Sequence, residues 1–76
     1  MKIVIIGGGK VGSKLSEELS NESHDVTVIE QDVDVINRIN SNQDVACING
    51  NAINREILKE AGVEEADLLI GCTSSD

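Results

Sequence analysis

Lys2-Ile3-Val4-Ile5-Ile6-Gly7-Gly8-Gly9-Lys10-Val11-Gly12 is the stretch from which the rest of the chain can be read. A β-branched apolar run passes directly into glycines, and the glycines pass directly into a helical pattern. Gly7, Gly9 and Gly12 stand at G-x-G-x-x-G spacing, with the flanking strand and helix that a bare motif match lacks. Each glycine has a physical reason. Gly7 allows a tight turn, Gly9 lets a pyrophosphate approach the backbone with no Cβ in the way, and Gly12 lets the helix lie close on the strand. An anion bound at such a turn meets the unpaired N–H groups of a helix start.

Three more apolar runs, Val26 to Ile29, Val45 to Ile48 and Leu68 to Ile70, lack the alternation of a half-exposed strand. They read as parallel strands covered on both faces. Helical spacing fills the intervals: Val11, Leu15 and Leu19, then Val35, Ile36 and Ile39, then Ile53, Ile57, Leu58 and Ala61. Alternating strands and helices imply right-handed crossovers and a parallel sheet. The expected fold is α/β: a Rossmann-like parallel sheet of strand order 3-2-1-4 with helices on both faces, truncated relative to a full dinucleotide-binding fold. The first two helices should cover one face and the third the other. The ligand crevice should open where the strand order reverses, at the carboxyl ends of the first and fourth strands. A bare outer edge on the fourth strand predicts a longer chain or an oligomer that covers it. Residues 1–76 are read as the N-terminal part of a nucleotide-binding domain, without linkers, repeats or a second domain.

Composition narrows the function classes. Fourteen acidic residues against six basic ones give a net charge of −8, which repels nucleic acid and anionic membrane surfaces. No apolar run reaches the roughly 18 residues of a membrane span. The first strand begins at Lys2, leaving no room for a signal peptide; the expectation is a cytoplasmic, soluble protein. There is no Phe, Tyr or Trp, so a bound base must lie between aliphatic side chains and backbone. Cys47 and Cys72 each fall inside a strand expected to be buried, on strands at opposite sides of the first, and read as inert core thiols too far apart for a disulfide.

Several polar residues fall where the topology places a ligand. Glu30 ends the second strand, close to the offset at which an acidic side chain accepts hydrogen bonds from the adenosine ribose, and a carboxylate there disfavours a 2′-phosphate. NAD is therefore favoured over NADP. Asp32 suits an N-cap of the second helix. Lys10 and Lys14 oppose the helix dipole; Lys10 is placed to reach an anion at the turn, and Lys14 can pair with Glu18. Asn51, in the Asn49-Gly50-Asn51-Ala52 segment, is read equally as an adenine contact and as a turn former or cap. Thr73, with Ser74 and Ser75, follows the fourth strand at the switch point. His24 belongs to a connection at the opposite end of the sheet. No general acid or base, nucleophile or metal-ligand spacing is recognisable near the site.

Together, Met1 to Gly12, Glu30 followed by Asp32, Asn49 to Ala52, and Ala66 to Asp76 resemble the TrkA N-terminal domain, the nucleotide-binding half of the regulatory subunits of Trk-type potassium uptake systems, related to the RCK (KTN) domains of potassium channels. The resemblance spans the whole chain. Gly-x-Ala after the third strand and Thr-x-x-Asp after the fourth make it more specific than the glycine turn alone. It implies a non-enzymatic domain that binds NAD(H), or ATP/ADP, as a signal. It also implies a membrane potassium-translocating subunit and a homo-oligomer as partners, a location peripheral to the inner face of the cell membrane, no membrane insertion and no nucleic acid. It carries the phosphates to Gly7, Gly9, Lys10, Val11 and Gly12, the ribose to Glu30, the adenine to Asn51 and Ala52, and the far side of the crevice to Thr73. Gly8 and Gln31 complete the candidate set. Asn51 stands where members commonly carry Asp. The alternative is the cofactor-binding half of an NAD-dependent dehydrogenase, with its catalytic residues further along.

Overall fold

The computed structural model describes residues 1–72. Strand β1 (Lys2–Ile6) leads into helix α1 (Lys10–Asn21), then β2 (Asp25–Glu30), α2 (Val33–Asn42), β3 (Ala46–Asn49), α3 (Arg55–Glu60), a 3-10 turn at Val63–Glu65 and β4 (Leu68–Gly71). The strands form one sheet of order β3-β2-β1-β4, parallel throughout. This is the expected Rossmann-like order. The reversal falls between β1 and β4, because α3 crosses back over the sheet instead of extending it past β3.

β1 lies at the centre, and Ile3, Val4 and Ile5 are all buried. Alternation along the strands sorts the core into two layers. Ile3, Ile5, Val26 and Val28 pack with Ile39 of α2, against Leu15 and Leu19 of α1. Val4 and Ile29 pack with Ala61 on the other face, against Ile57, Leu58 and Val63. Two helices on one face and the third on the other match the expected layering.

Two helical assignments need correction. Val11 is 71% exposed; the residues α1 buries are Gly12 and Ser16, one turn apart. Small residues there bring the helix axis close to the sheet and turn the Val11 position outward. Ile53 is 88% exposed and precedes α3, which starts only at Arg55. Asn54 causes the delay: its side chain accepts from the Glu56 amide at 2.8 Å, the bond of an N-cap. Asp32 caps α2 in the expected way, accepting from the Asp34 amide at 2.9 Å.

α1 and α2 are also joined by polar contacts. The Gln43 amide, at the C-cap of α2, donates to the Ser13 carbonyl at 3.0 Å and accepts from the buried Ser16 hydroxyl. Lys14 and Glu18 pair at 4.0 Å on the exposed face of α1. At the amino end of the sheet, the Lys2 and Asp67 main chains are tied by two bonds of 2.8 Å, one of them through the Asp67 carboxylate. β4 departs from the expectation of a strand covered on both faces: Leu68 and Leu69, on opposite faces, are 44% and 50% exposed, because β4 is the edge strand of the sheet.

Candidate functional site

The glycine turn begins as a continuation of the sheet. The Gly7 amide donates to the Ile29 carbonyl at 2.8 Å, the next parallel pairing after Ile6 and Ile29. The chain then breaks away at Gly7, whose φ of 100° is a conformation that L side chains rarely adopt. Gly9 follows as the N-cap of α1, with φ −67° and ψ −161°. α1 starts with no side-chain cap and no acidic residue in its first turn. α2 and α3 each have both. The first amides of α1 have no intrahelical carbonyl to bond, so their partial positive charge is directed out of the helix start.

Gly8 lies on the inner side of the turn. It is buried, and a Cβ there would stand 2.8 Å from Ile39 Cδ1 and 3.1 Å from Val35 Cγ1 of α2. Its amide donates to Glu30 Oε1 at 2.7 Å. The other carboxylate oxygen, Oε2, accepts from the Asp32 amide at 2.8 Å. The Glu30 carbonyl accepts from the Gly50 amide at 3.0 Å and from Asn49 Nδ2 at 3.1 Å, and the same Asn49 nitrogen donates to the Gln31 carbonyl at 2.9 Å. Glu30 thus joins the glycine turn, the start of α2 and the loop after β3.

These three segments enclose a crevice of about 630 Å³ at the carboxyl ends of the strands, within the size range of small-molecule sites. Gly7 and Gly9 form one wall, Glu30 and Gln31 the next, and Asn51 and Ala52 the third. Ile6, Ile29, Val35 and Ile53 supply apolar surface, and Cys72 lies at the β4 side. Among the described residues the lining holds no Lys or Arg. An anion in this crevice would therefore be met by main-chain dipoles rather than side-chain cations, a role helix starts and glycine turns fill.

The remaining candidates fall elsewhere. Gly12 is buried where α1 meets the turn. Lys10 and Val11 are exposed and lie with Lys14, Leu15 and Glu18 on the outer surface of α1, not on the crevice lining. Thr73 lies outside the described residues. Asn51 lines the crevice, yet its Oδ1 accepts from the Ile53 amide at 2.9 Å; the turn-forming role is present, and its Nδ2 is the group left to face a ligand.

Gly8, one of the sequence candidates, lies at the turn with its amide on Glu30. Three further contributors carry no site signal in the sequence: Asn49 reads only as part of a turn, and Ile53 and Val35 read as helix core. Cys72 follows β4 instead of lying within the strand as expected; it is half-buried, packs against the core as a core thiol should, and also borders the crevice. Cys47, on β3, is half-buried and burial pushes its thiol pKa up. Both thiols are free.

Comparison with known proteins follows the same lines. The TrkA-N domain family model matches residues 3–76. The Trk system potassium uptake protein TrkA of Vibrio alginolyticus is 37% identical over 76 residues, covering 100% of this chain and 17% of that protein. The TrkA homolog of Archaeoglobus fulgidus is 47% identical with the same coverage, and TrkA of Streptomyces coelicolor is 37% identical, with 34% of its length covered. The chain thus spans a minor part of the curated relatives it matches. Among solved structures, the Kef CTD of Shewanella denitrificans in AMP bound form superposes with a TM-score of 0.73 at 22% identity, covering 91% of this chain and 40% of that one. The likeness is one of fold.

Proposed function

The chain belongs to the TrkA-N domain family, and from that premise we propose that it is the nucleotide-binding part of a regulatory domain of potassium transport. In this reading residues 1–76 form the N-terminal part of the domain. NAD(H) is the favoured ligand and ATP/ADP the alternative. The bound nucleotide is a signal, not a substrate: it binds two conformations of an assembly with different affinity and shifts their balance. The assembly comprises further copies of the chain and a membrane potassium-translocating subunit, met at the cytoplasmic face. No helix among the described residues is long and apolar enough to cross a membrane.

One observation carries the reading: the Gly7–Gly9 turn delivers the uncapped start of α1 to a crevice whose adjoining wall is Glu30. Main-chain amides suit the pyrophosphate, and a carboxylate suits the ribose hydroxyls while repelling a 2′-phosphate. The apolar surface of Val35 and Ile53 suits an adenine that has no aromatic ring to stack on. Lys10 and Val11 then contribute through their main-chain amides, and Thr73, outside the described residues, is the further candidate for the phosphates or the second ribose.

Calorimetry of the intact protein against NAD, NADH, AMP, ADP and ATP tests this. Saturable binding of at least one, lost on disrupting the turn, is the expected result. No binding of any of the five removes the proposal.

A further inference from the structure

We infer that Glu30 is a positioning residue for the phosphate turn, acting through the Gly8 amide, in addition to any contact it makes with a ribose. This deepens the nucleotide-binding reading and rests on it. Parallel pairing between β1 and β2 would end at Gly7, whose amide bonds the Ile29 carbonyl. The Glu30 side chain continues it for one more residue by taking the Gly8 amide at 2.7 Å. Gly8 is simultaneously pressed against Val35 and Ile39 of α2. A buried amide in that position needs an acceptor, and the Glu30 carboxylate is the acceptor it has.

The carboxylate is itself held. Its second oxygen accepts from the Asp32 amide, and its own main-chain carbonyl is tied to Gly50 and Asn49. Glu30 therefore cannot move without disturbing the start of α2, and Gly8 cannot turn without losing a charge-assisted bond. The middle amide of the turn is drawn inward to the carboxylate, which leaves Gly9 and the start of α1 to the ligand.

Chemistry at Glu30 is uncommonly specific as a result. Both oxygens face N–H donors, so an amide side chain would set its own NH₂ against one of them. Replacing Glu30 by Gln removes a negative charge beside an anion site, which alone would favour anions. It also leaves one of the two backbone donors, the Gly8 or the Asp32 amide, without its acceptor, which breaks the tie between the glycine turn and the start of α2. The two effects have opposite signs for a ligand that has phosphates and no ribose.

Inorganic pyrophosphate is that probe, titrated into the intact protein by calorimetry. Glu30→Gln is expected to weaken it by at least about threefold, and Glu30→Asp, which keeps the charge but shortens the reach, to weaken it as well. The control is Asp32→Asn, which removes a neighbouring crevice charge and keeps the cap of α2, since Asn caps as well as Asp; it is expected to strengthen pyrophosphate. Glu30→Gln binding pyrophosphate as well as wild type or better overturns the inference.

Hydrogen exchange of the segment 6–11 in the ligand-free protein separates this from the proposed function. The Gly8 amide is expected to exchange faster in Glu30→Ala, which removes both acceptor oxygens, than in Asp32→Asn, whatever the ligand. Wild type that binds no nucleotide refutes the function and leaves this exchange difference standing. Equal exchange in both variants refutes the positioning role, even when nucleotide binds.

Discussion

Gly7 and Gly12 are packed so closely that a Cβ on Gly12 would overlap the Gly7 carbonyl oxygen and lie 3.0 Å from the carbonyl carbon. The obstacle is backbone, which cannot rotate aside as a side chain can. Gly12→Ala must therefore shift the start of α1 away from the turn, and overpacking of this kind costs about 1–3 kcal/mol. Chemical denaturation should show a lower midpoint, and nucleotide affinity should fall with it because the helix start is displaced. A wild-type midpoint would mean that α1 has room to spare.

Gly9 makes the complementary case. Its φ of −67° is open to any residue, so Gly9→Val imposes no left-handed strain and the fold should survive with a nearly unchanged melting temperature. The new side chain would project from the residue that caps α1 and lines the crevice. Nucleotide binding should be lost, by about tenfold or more on losing even one good phosphate contact. Retained affinity in calorimetry would show that the nucleotide lies elsewhere.

Much of this arrangement is legible in the sequence because it follows from periodicity. Uninterrupted apolar runs gave the strands, their alternation with helices gave the order 3-2-1-4, and the glycine spacing located the turn at the end of β1. What periodicity cannot show is a helix that packs by its smallest residues. Leu15 and Leu19 of the expected stripe do pack on the core, but Val11 stays outside and the positions α1 buries completely are Gly12 and Ser16, since a glycine under a helix permits closer approach than any apolar side chain. Ile53 misleads for a related reason: its spacing to Ile57 and Ala61 is helical, yet Asn54 caps the helix after it. The bond from Gly8 to Glu30 joins residues 22 apart in the chain, and only the register of β1 on β2 brings them together.

In the proposed reading, Glu30 is the residue that separates the dinucleotides. Glu30→Ala should weaken NAD more than NADP, because the loss of a ribose acceptor applies to NAD while removal of the carboxylate relieves repulsion of the 2′-phosphate. Loss of the Gly8 bond affects both ligands alike and cancels in the ratio. Titration of wild type and variant with the two dinucleotides gives that ratio directly. Equal loss for both would remove the ribose assignment and leave Glu30 with the turn alone.

Cys47 and Cys72 supply paired reporters, since both are free and half-buried but only Cys72 lines the crevice. Alkylation by iodoacetamide, followed residue by residue by mass spectrometry, should slow at Cys72 when nucleotide is present and remain unchanged at Cys47. The pH dependence of Cys47 has a definite sign. Burial raises its thiol pKa, so at a given pH below that value less reactive thiolate is present than at an unperturbed thiol. Its alkylation should therefore be slow at pH 8 and keep accelerating above the pH at which a free cysteine in the same buffer levels off. Nucleotide that slowed both thiols equally would indicate general stabilisation, because closure of the crevice by a ligand reaches Cys72 and leaves β3 untouched.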